Sequence, residues 1–445
     1  MRSKSWMSHR AVAFAVIAAL GAGLLAGCAE DSDEPGGSSS GNGADGRGKT
    51  TITIGDFGVF GYKQAGLFDE YEKLNPGVSI KETSIERLDQ YYPQLLTHLA
   101  TSSGLQDIQA IEVGNIAEIA NRHSDQFVDL GKAAKGVDKN SYLPWKWAQA
   151  TTGSGKTIGL GTDIGPIAIC YRKDLFEKAG LPTGREEVGK LWAGDWQKYV
   201  DTGKEYMANA PKGTTFVDAA GGVFNASVSG SVERYYDKDG KVIYKNSPAV
   251  KKSWKLAMEV IDGKMTAKLK QFDKSWDQAY ANARFATVSC PPWMLGYIKE
   301  KAGQKAKDQW GIAPAPKPAN WGGSFLSVPE AGKNKDEAIK LATWLTAPEQ
   351  QAKLFQKQGS FPSSQTAYKL PEVAGAKHEF FDNAPIGQIF ADAAKNIPTL
   401  VVGEKDQLIQ NTITDIGILQ VEQQGRTPAQ GWTAAEKDID NALDQ

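Results

Sequence analysis

Two carboxylates stand at the ends of predicted strands, where side chains commonly reach a ligand. Glu112 follows the apolar run that begins at Ile108, and Asp163 follows the run that begins at Ile158. Ligands of α/β sheets bind beyond the carboxyl ends of strands, so both acids are candidate site residues. Two carboxylates at a set separation can hydrolyse a glycosidic bond, yet carboxylates also accept hydrogen bonds from sugar hydroxyls without reaction. The sequence leaves both readings open.

Three tryptophans lie beside residues that favour loops. Trp293 follows Pro291-Pro292, Trp321 lies in Asn-Trp-Gly-Gly, and Trp276 lies in Ser-Trp-Asp. Sugar rings present flat patches of C–H groups that stack on indole faces, while their hydroxyls seek amides and carboxylates. A single tryptophan more often belongs to a core. Three in loop settings favour a sugar site.

Phosphate, metal and nucleic-acid sites are disfavoured by the sequence. Residues 152–157 (Thr-Gly-Ser-Gly-Lys-Thr) resemble a phosphate-binding loop, but that motif needs glycine at position 150, which is alanine, and a helix where a strand is predicted. The histidines His9, His98, His123 and His378 are scattered, and no histidine or cysteine pair has ligand spacing. The formal charge of −1 gives no basic surface for nucleic acid. We therefore expect no metal and no cofactor.

The amino-terminal residues are typical of a lipoprotein leader. A basic start is followed by the apolar run 11–25, which is too short to span a bilayer comfortably. The run ends in Leu25-Ala26-Gly27-Cys28, where small residues precede a cysteine that can be acylated. We interpret residues 1–27 as a signal peptide and Cys28 as the lipid attachment site. The alternatives are a chance cysteine after an ordinary signal peptide and an uncleaved anchor.

The residues after Cys28 predict a flexible tether and then a large body. Residues 28–49 are rich in Gly, Ser, Asp and Glu and have no large apolar residue, which predicts disorder. The rest is long enough for about two domains. Besides Cys28 the chain has only Cys170 and Cys290, which we expect in one lobe. Their spacing leaves a disulfide and two buried thiols equally open.

Strands and helices alternate along the body. Thr51–Ile54, 78–83 and 108–113 predict strands, each followed by a helical segment, and 158–172 predicts one long strand. This alternation indicates a mainly parallel sheet covered by helices on both faces. The proline-rich segment 313–318 predicts a stiff crossing between lobes. Pro348 fits the first turn of a further helix that Gly359 ends, and the stretch 385–445 predicts helices.

These stretches resemble the extracellular solute-binding proteins that serve carbohydrate ABC importers, of the maltose-binding type. The resemblance is carried by Ile158–Gly180, Phe285–Trp293, Gly322–Phe361 and the residues around Cys28. Within that family, Gly55–Lys63, Gly161–Pro166 and Ser289–Gly296 look most like the cellobiose- and cello-oligosaccharide-binding lipoproteins of actinobacteria.

The resemblance implies an α/β, periplasmic-binding-protein-like fold with two lobes and mainly parallel sheets flanked by helices. Its hinge is crossed three times, near 166, 316 and 372. The amino-terminal lobe then comprises 50–166 plus 317–372, and the carboxy-terminal lobe comprises 167–316 plus 373–445. The family's maltose-binding members use an aromatic residue in the carboxy-terminal helices. Residues 397–410 offer none, which favours another saccharide.

The resemblance also implies site residues. Trp293 stands where the family places a stacking tryptophan, and Glu112 and Asn115 fall in its third ligand loop. The full set predicted to bind sugar is Phe57, Phe60, Arg87, Glu112, Asn115, Asp163, Phe224, Asn225, Trp276, Trp293, Trp321, Gly322 and Phe361.

The predicted function is capture without chemistry. We expect a monomeric lipoprotein, held by Cys28 on the extracytoplasmic face of the cell membrane, that binds an oligosaccharide such as cellobiose or cellotriose. It would deliver this ligand to the permease subunits of an ABC-type importer. The alternative from another class is a secreted glycoside hydrolase, and a peptide- or metal-binding protein is disfavoured.

Changing Cys28 to alanine is expected to release the protein from the membrane without altering its ligand affinity, because stable anchoring needs acyl chains on that sulfur. Fractionation of cells expressing each form measures the release. A Cys28→Ala protein that stays in the membrane fraction would refute the lipid attachment.

Overall fold

The computed structural model describes residues 48–444, so the leader, Cys28 and most of the predicted tether lie outside the described residues. Strands occupy β1 (Thr50–Phe57), β2 (Val78–Ile85), β3 (Ile108–Glu112), β4 (Leu160–Gly161), β5 (Asp163–Ile164), β6 (Ala168–Arg172), β7 (Thr215–Val217), β8 (Phe285–Cys290), β9 (Trp310–Pro314), β10 (Ser324–Ser327) and β11 (Phe361–Pro362).

Helices cover both faces of the two larger sheets. They are α1 (Leu67–Leu74), α2 (Leu88–Thr101), α3 (Ile116–Arg122), α4 (Leu130–Ala133), α5 (Pro144–Gln149), α6 (Lys173–Lys178), α7 (Arg185–Trp192), α8 (Trp196–Ala208), α9 (Ala220–Val228), α10 (Pro248–Asp262), α11 (Lys274–Ala281), α12 (Met294–Ala302), α13 (Lys335–Leu345), α14 (Pro348–Gln358), α15 (Pro371–Ala374), α16 (Ile386–Lys395), α17 (Asp406–Asn411), α18 (Leu419–Gln424) and α19 (Pro428–Leu443). A π-helical segment, Thr412–Ile418, joins α17 to α18. Among residues 48–444, no helix has both the length and the apolar character needed to cross a membrane.

The first sheet has the order β2-β1-β3-β10-β4. Strand β1 alternates in sequence, so Ile52 and Ile54 are buried while Thr51 is exposed. It runs parallel to β2 and β3, whereas β10 runs antiparallel to both β3 and β4. The register places Ser324 of β10 opposite Glu112, the last residue of β3. The end of β3 and the start of β10 therefore meet at one edge of the sheet.

The second sheet has the order β7-β8-β6-β9. Strand β6 is antiparallel to both β8 and β9, and Ala168 pairs with Cys290 on one side and Pro314 on the other. Two further strands, β5 and β11, form a separate short ribbon in which Phe361 faces Ile164. Each larger sheet packs between two groups of buried side chains, one on each face.

The predicted α/β class with flanking helices is confirmed, but the prediction of mainly parallel sheets is wrong. Both large sheets are mixed. The reason is the path of the chain: it moves from the first sheet to the second between 162 and 167, and back between 315 and 323. A strand that begins where the chain crosses between the sheets runs antiparallel to the strands that end at that crossing. The residue limits given above for the lobes stay predictions.

Several local predictions can be compared directly. Pro348 begins α14, and Gly359 ends it with a left-handed φ of 83°, as the sequence predicts. The carboxy-terminal stretch is helical as expected. The single strand predicted over 158–172 is instead β4, β5 and β6, separated by short breaks.

Cys170 and Cys290 form a disulfide between β6 and β8, with a Cα–Cα distance of 5.7 Å. Both residues are fully buried in the second sheet, which confirms that they share a lobe. The bridge closes a long loop, because 120 residues separate the two cysteines.

Replacing both cysteines with alanine is expected to lower the free energy of unfolding by about 2–5 kcal/mol, because the unfolded chain gains freedom. Urea unfolding with and without reductant measures this. Reductant is expected to destabilise the native protein and to leave the Cys170→Ala/Cys290→Ala variant unchanged. Free Cys170 and Cys290 thiols in denatured, unreduced protein would contradict the bridge.

Candidate functional site

A cleft of about 1130 Å³ lies where the carboxyl ends of β1 and β3 face the end of β8. Its walls come from four parts of the first sheet's side, namely 57–62, 86–96, 112–118 and 162–163, and from the facing segments 229–234, 272–301, 320–324 and 400–412. Clefts of this size lined by a mixture of aromatic and polar side chains are typical ligand sites.

One wall is aromatic and is centred on Trp293. The ring of Trp293 meets Trp321 edge to face at 5.5 Å between centroids, and Phe272 stacks on Trp293 at 6.4 Å with 27° between planes. Trp293 Nε1 donates to the backbone oxygen of Trp321, 3.3 Å away. Tyr297, one turn along α12, also lines the cleft. Both indoles are partly exposed and line the cleft.

The loop that carries Trp321 is held by backbone contacts that need glycine. A Cβ on Gly165 would lie 1.8 Å from the Trp321 oxygen, and one on Gly323 would lie 2.6 Å from the Asp163 oxygen. Gly323 also has a φ of 106°, which side chains rarely adopt. Asn320 fastens the loop, since its Oδ1 accepts from Gly165 N at 2.9 Å and its Nδ2 donates to Gly322 O at 2.9 Å.

The floor of the cleft holds the two carboxylates. Glu112 Oε2 accepts from the backbone N–H of Gly114. Asp163 Oδ1 accepts from Thr162 Oγ1 at 2.6 Å and from Ser324 N at 2.9 Å. Burial raises the pKa of Glu112 to about 7, although the Gly114 N–H and the charge of Lys146 act against this rise. Glu112 is therefore poised to change charge near neutral pH.

Beside Glu112, Asn115 also faces the cleft and is almost fully buried. On the opposite side, Arg234 is buried and pairs with Asp406, while its other nitrogen donates to Gln410 Oε1 at 3.3 Å. Arg234 and Gln410 both line the cleft. They place donors across from the carboxylates.

Two ion pairs join α3 to the segment before α17 at one side of the cleft. Lys405 Nζ lies 2.7 Å from Glu118 Oε1, and Arg122 Nε lies 2.6 Å from Glu404 Oε2. Tyr92 donates its hydroxyl to the second oxygen of Glu118 at 2.9 Å. Each of the two segments therefore contributes one acid and one base to these pairs.

The structure brings most of the predicted site residues together. Nine line the cleft: Phe57, Phe60, Arg87, Glu112, Asn115, Asp163, Trp293, Trp321 and Gly322. Four are placed elsewhere: Phe224, Asn225, Trp276 and Phe361. Phe224 and Asn225 lie on α9, and Phe361 packs against Phe355 at 5.0 Å. Trp276 is fully buried in α11, where its Nε1 donates to Asp218 at 2.8 Å.

Sequence reasoning did not find Phe272, Arg234, Asn320, Tyr297 or Gln410. Phe272 has a left-handed φ of 68° and is 46% exposed as a residue, which is unusual for a large apolar residue. No local pattern marks that conformation. Tyr297 could have been found, because it follows Trp293 by four residues, a spacing that places two side chains on one face of a helix.

Comparisons with known proteins place the chain among binding proteins. A family model described as bacterial extracellular solute-binding protein matches residues 66–381. A crystal structure described as extracellular solute-binding protein family 1 is 38% identical, with a TM-score of 0.81 over 88% of this chain and 99% of that one. The lactose-binding protein of Rhizobium radiobacter is 24% identical over 80% of this chain and 84% of its own length. The arabinooligosaccharide-binding protein of Bacillus subtilis (strain 168) is 23% identical over 77% and 78%.

The matched relatives bear on the two classes of function that the sequence left open. Both curated relatives are named as binding proteins, so the glycoside hydrolase alternative is not favoured. Among residues 48–444, no group of three His, Cys, Asp or Glu side chains is arranged to hold a metal ion.

Proposed function

The chain belongs to the bacterial extracellular solute-binding proteins, and from this premise we propose that its cleft captures a neutral oligosaccharide for an ABC-type importer. The observation that carries the proposal is the pairing of an aromatic wall with a carboxylate floor. Trp293, Trp321 and Phe272 offer flat faces, while Glu112 and Asp163 offer acceptors. Sugar rings have both C–H faces and hydroxyl donors, and so complement both surfaces.

The charges of the cleft favour an uncharged ligand. The basic side chains that line it are each paired with an acid: Arg87 with Asp89, Arg234 with Asp406, Lys301 with Asp277, and Lys405 with Glu118. Glu112 and Asp163 form no ion pair within the part of the chain that the structure describes. A phosphorylated or acidic sugar would meet these two acids, while every basic side chain that lines the cleft already has an acidic partner.

Among neutral oligosaccharides we propose cellobiose or cellotriose. The support is the likeness of 55–63, 161–166 and 289–296 to cello-oligosaccharide-binding lipoproteins, together with ring geometry. In β-1,4-linked glucose the ring substituents are equatorial, so both faces are apolar and suit stacking on indoles. Two relatives are named for other saccharides, lactose and arabinooligosaccharides, so the test below compares several sugars.

Capture requires the two sides of the cleft to approach one another. Ligand stabilises the closed arrangement because only there do the indoles and the carboxylate floor contact it together. We propose that the closed protein docks on the permease as a monomer. We further propose that Cys28, which is outside the described residues, holds it at the extracytoplasmic face of the membrane by a lipid.

Thermal unfolding with a panel of sugars tests the function. Cellobiose or cellotriose at a hundred times its dissociation constant is expected to add about 2.7 kcal/mol to the free energy of unfolding. Maltose tests whether the protein prefers one linkage, and lactose tests whether it prefers one epimer. Glucose 6-phosphate tests whether a charged sugar binds. A shift with the phosphate and none with neutral sugars would contradict the proposal, and release of glucose from cellobiose would favour the hydrolase.

Replacing Trp293 with alanine is expected to weaken cello-oligosaccharide binding by about 2 kcal/mol or more, because a stacking surface at the centre of the cleft is lost. Trp276→Ala is the matched control. Trp276 is fully buried, so its loss is expected to cost about 3–5 kcal/mol of stability.

The two variants separate a binding role from a core role. Titration calorimetry and melting curves on both proteins are expected to give weak binding with a small loss of stability for Trp293→Ala. Unchanged affinity in a folded Trp293→Ala protein, or a loss of stability as large as that of Trp276→Ala, would remove Trp293 from the site.

A further inference from the structure

Helix α5 buries a lysine without giving it a hydrogen-bond partner. Lys146 is 0% exposed, and its Nζ has no partner among the described residues. Lysine is almost never fully buried unless it is paired, because removing the ammonium from water is costly. Burial accordingly lowers the pKa of Lys146 to about 8. The six-residue helix α5 thus buries a charge at a cost in free energy, and that charge forms no hydrogen bond with the described residues.

The surroundings of Lys146 are shaped to admit it. A Cβ on Gly161 would lie 3.1 Å from Lys146 Cγ and 3.2 Å from its Cε, so glycine at 161 leaves room for the lysine stem. Nζ lies over the ring of Phe325, 3.7 Å from the centroid, where the π face offsets part of the desolvation. Gly161 and Phe325 pair directly between β4 and β10. The ammonium therefore lies against β4 and β10, at one side of the first sheet.

The residue next to Phe325 on β10 contacts both cleft acids, which lie on β3 and β5. Ser324, one residue before Phe325, faces Glu112 in the register and donates its N–H to Asp163. The charges that act on Lys146 are those of Asp163 and Glu112, and both favour its ammonium form. The charged groups that act on Glu112 are Lys146 on α5, Asp163 on β5 and Arg234 on the opposite wall.

We propose that Lys146 is a positioning residue for ligand binding, whose buried ammonium favours the carboxylate form of Glu112 beside Asp163, so that both acids can accept hydrogen bonds from ligand hydroxyls. This inference rests on the proposed function of the cleft. Without the lysine, two carboxylates would share a partly buried floor, and the second charge would disfavour the first. Lys146 then acts through Glu112 and does not contact the ligand itself.

The direction of the pH effect follows from the charges. Lys146 and Arg234 lower the pKa of Glu112, whereas burial and Asp163 raise it. Removing the lysine charge raises that pKa further, by about one unit for a nearby opposite charge. At pH 7 the ionised fraction of Glu112 then falls from about a half to about a tenth, and near pH 9 it is almost complete in both proteins.

The decisive variant is Lys146→Met, which keeps the length of the stem and removes the charge. Oligosaccharide affinity is expected to fall about fivefold at pH 7 and to approach the native value near pH 9. The melting temperature is expected to stay unchanged or rise, since an unpaired buried charge is removed. Lys178→Met is the control, because Lys178 is an exposed lysine on α6.

A second variant, Glu112→Gln, tests whether the lysine works through the carboxylate. In that background Lys146→Met is expected to add no pH-dependent loss of affinity. In ligand-free protein, the ¹³C signal of the Glu112 carboxyl, assigned by its absence in Glu112→Gln, is expected to titrate about one unit higher in Lys146→Met than in native protein. Lys146→Gln provides the same readouts if the methionine variant does not fold.

The two measurements distinguish the failure of this inference from failure of the proposed function. An unchanged Glu112 titration overturns the inference, as does a shifted titration with unchanged affinity, or a loss of affinity that is equal at all pH values. If native protein binds no neutral sugar, the proposed function falls. The carboxyl titration then still decides whether Lys146 controls the charge of Glu112.

Discussion

The return of β10 into the first sheet is the constraint on which the cleft depends. Its first residue, Ser324, pairs with Glu112 and donates its N–H to Asp163, so one backbone position orders both floor acids. Trp321, three residues earlier, contacts Trp293 on the other side. Because β10 begins where β3 ends, the chain crosses between sheets at the site itself. The crossing segment is therefore also part of the cleft wall.

The aromatic wall is anchored by the second sheet in a comparable way. Cys290 is the last residue of β8 and is bonded to Cys170 of the neighbouring strand. Pro291 and Pro292 follow directly, and their rings fix φ, so Trp293 leaves the sheet in a restricted direction. The bridge and the prolines reduce the number of conformations that the indole must give up when a ligand binds. Preorganisation of this kind lowers the entropic cost of binding.

How far the sequence could predict the structure depends on whether each signal was local. Trp293 was found because a strand, two prolines and an aromatic residue are adjacent, and Gly359 because a helix end needs a left-handed residue. The antiparallel entry of β10 was missed because it depends on a pairing with β3 more than 200 positions away in the chain. Trp276 looked like a loop residue, yet it lies in α11 and is buried.

The burial of Lys146 is a second feature that the sequence could not predict. Nothing near Lys146 marks it as an interior residue, since Pro-Trp-Lys-Trp is consistent with an amphipathic turn that exposes the lysine. Its burial follows from Gly161 and Phe325, which reach it only through the assembled sheet. Residues whose partners lie far away in the chain, such as Lys146, Asn320 and Arg234, therefore need a structure to be found.

The ion pairs at the side of the cleft bear on how a ligand can control closure. A ligand shifts an equilibrium only by its difference in affinity for the two states, so a closed form that was already very stable would not report binding. The Arg122–Glu404 pair is about half exposed on its arginine, and exposed pairs contribute roughly 0–1 kcal/mol. Glu118 is more buried, but Tyr92 satisfies its second oxygen, so the acid keeps a partner when Lys405 moves away. Under the proposed function, both pairs orient the two sides without locking them, and the free energy that holds the cleft closed comes from a ligand between Trp293 and Glu112.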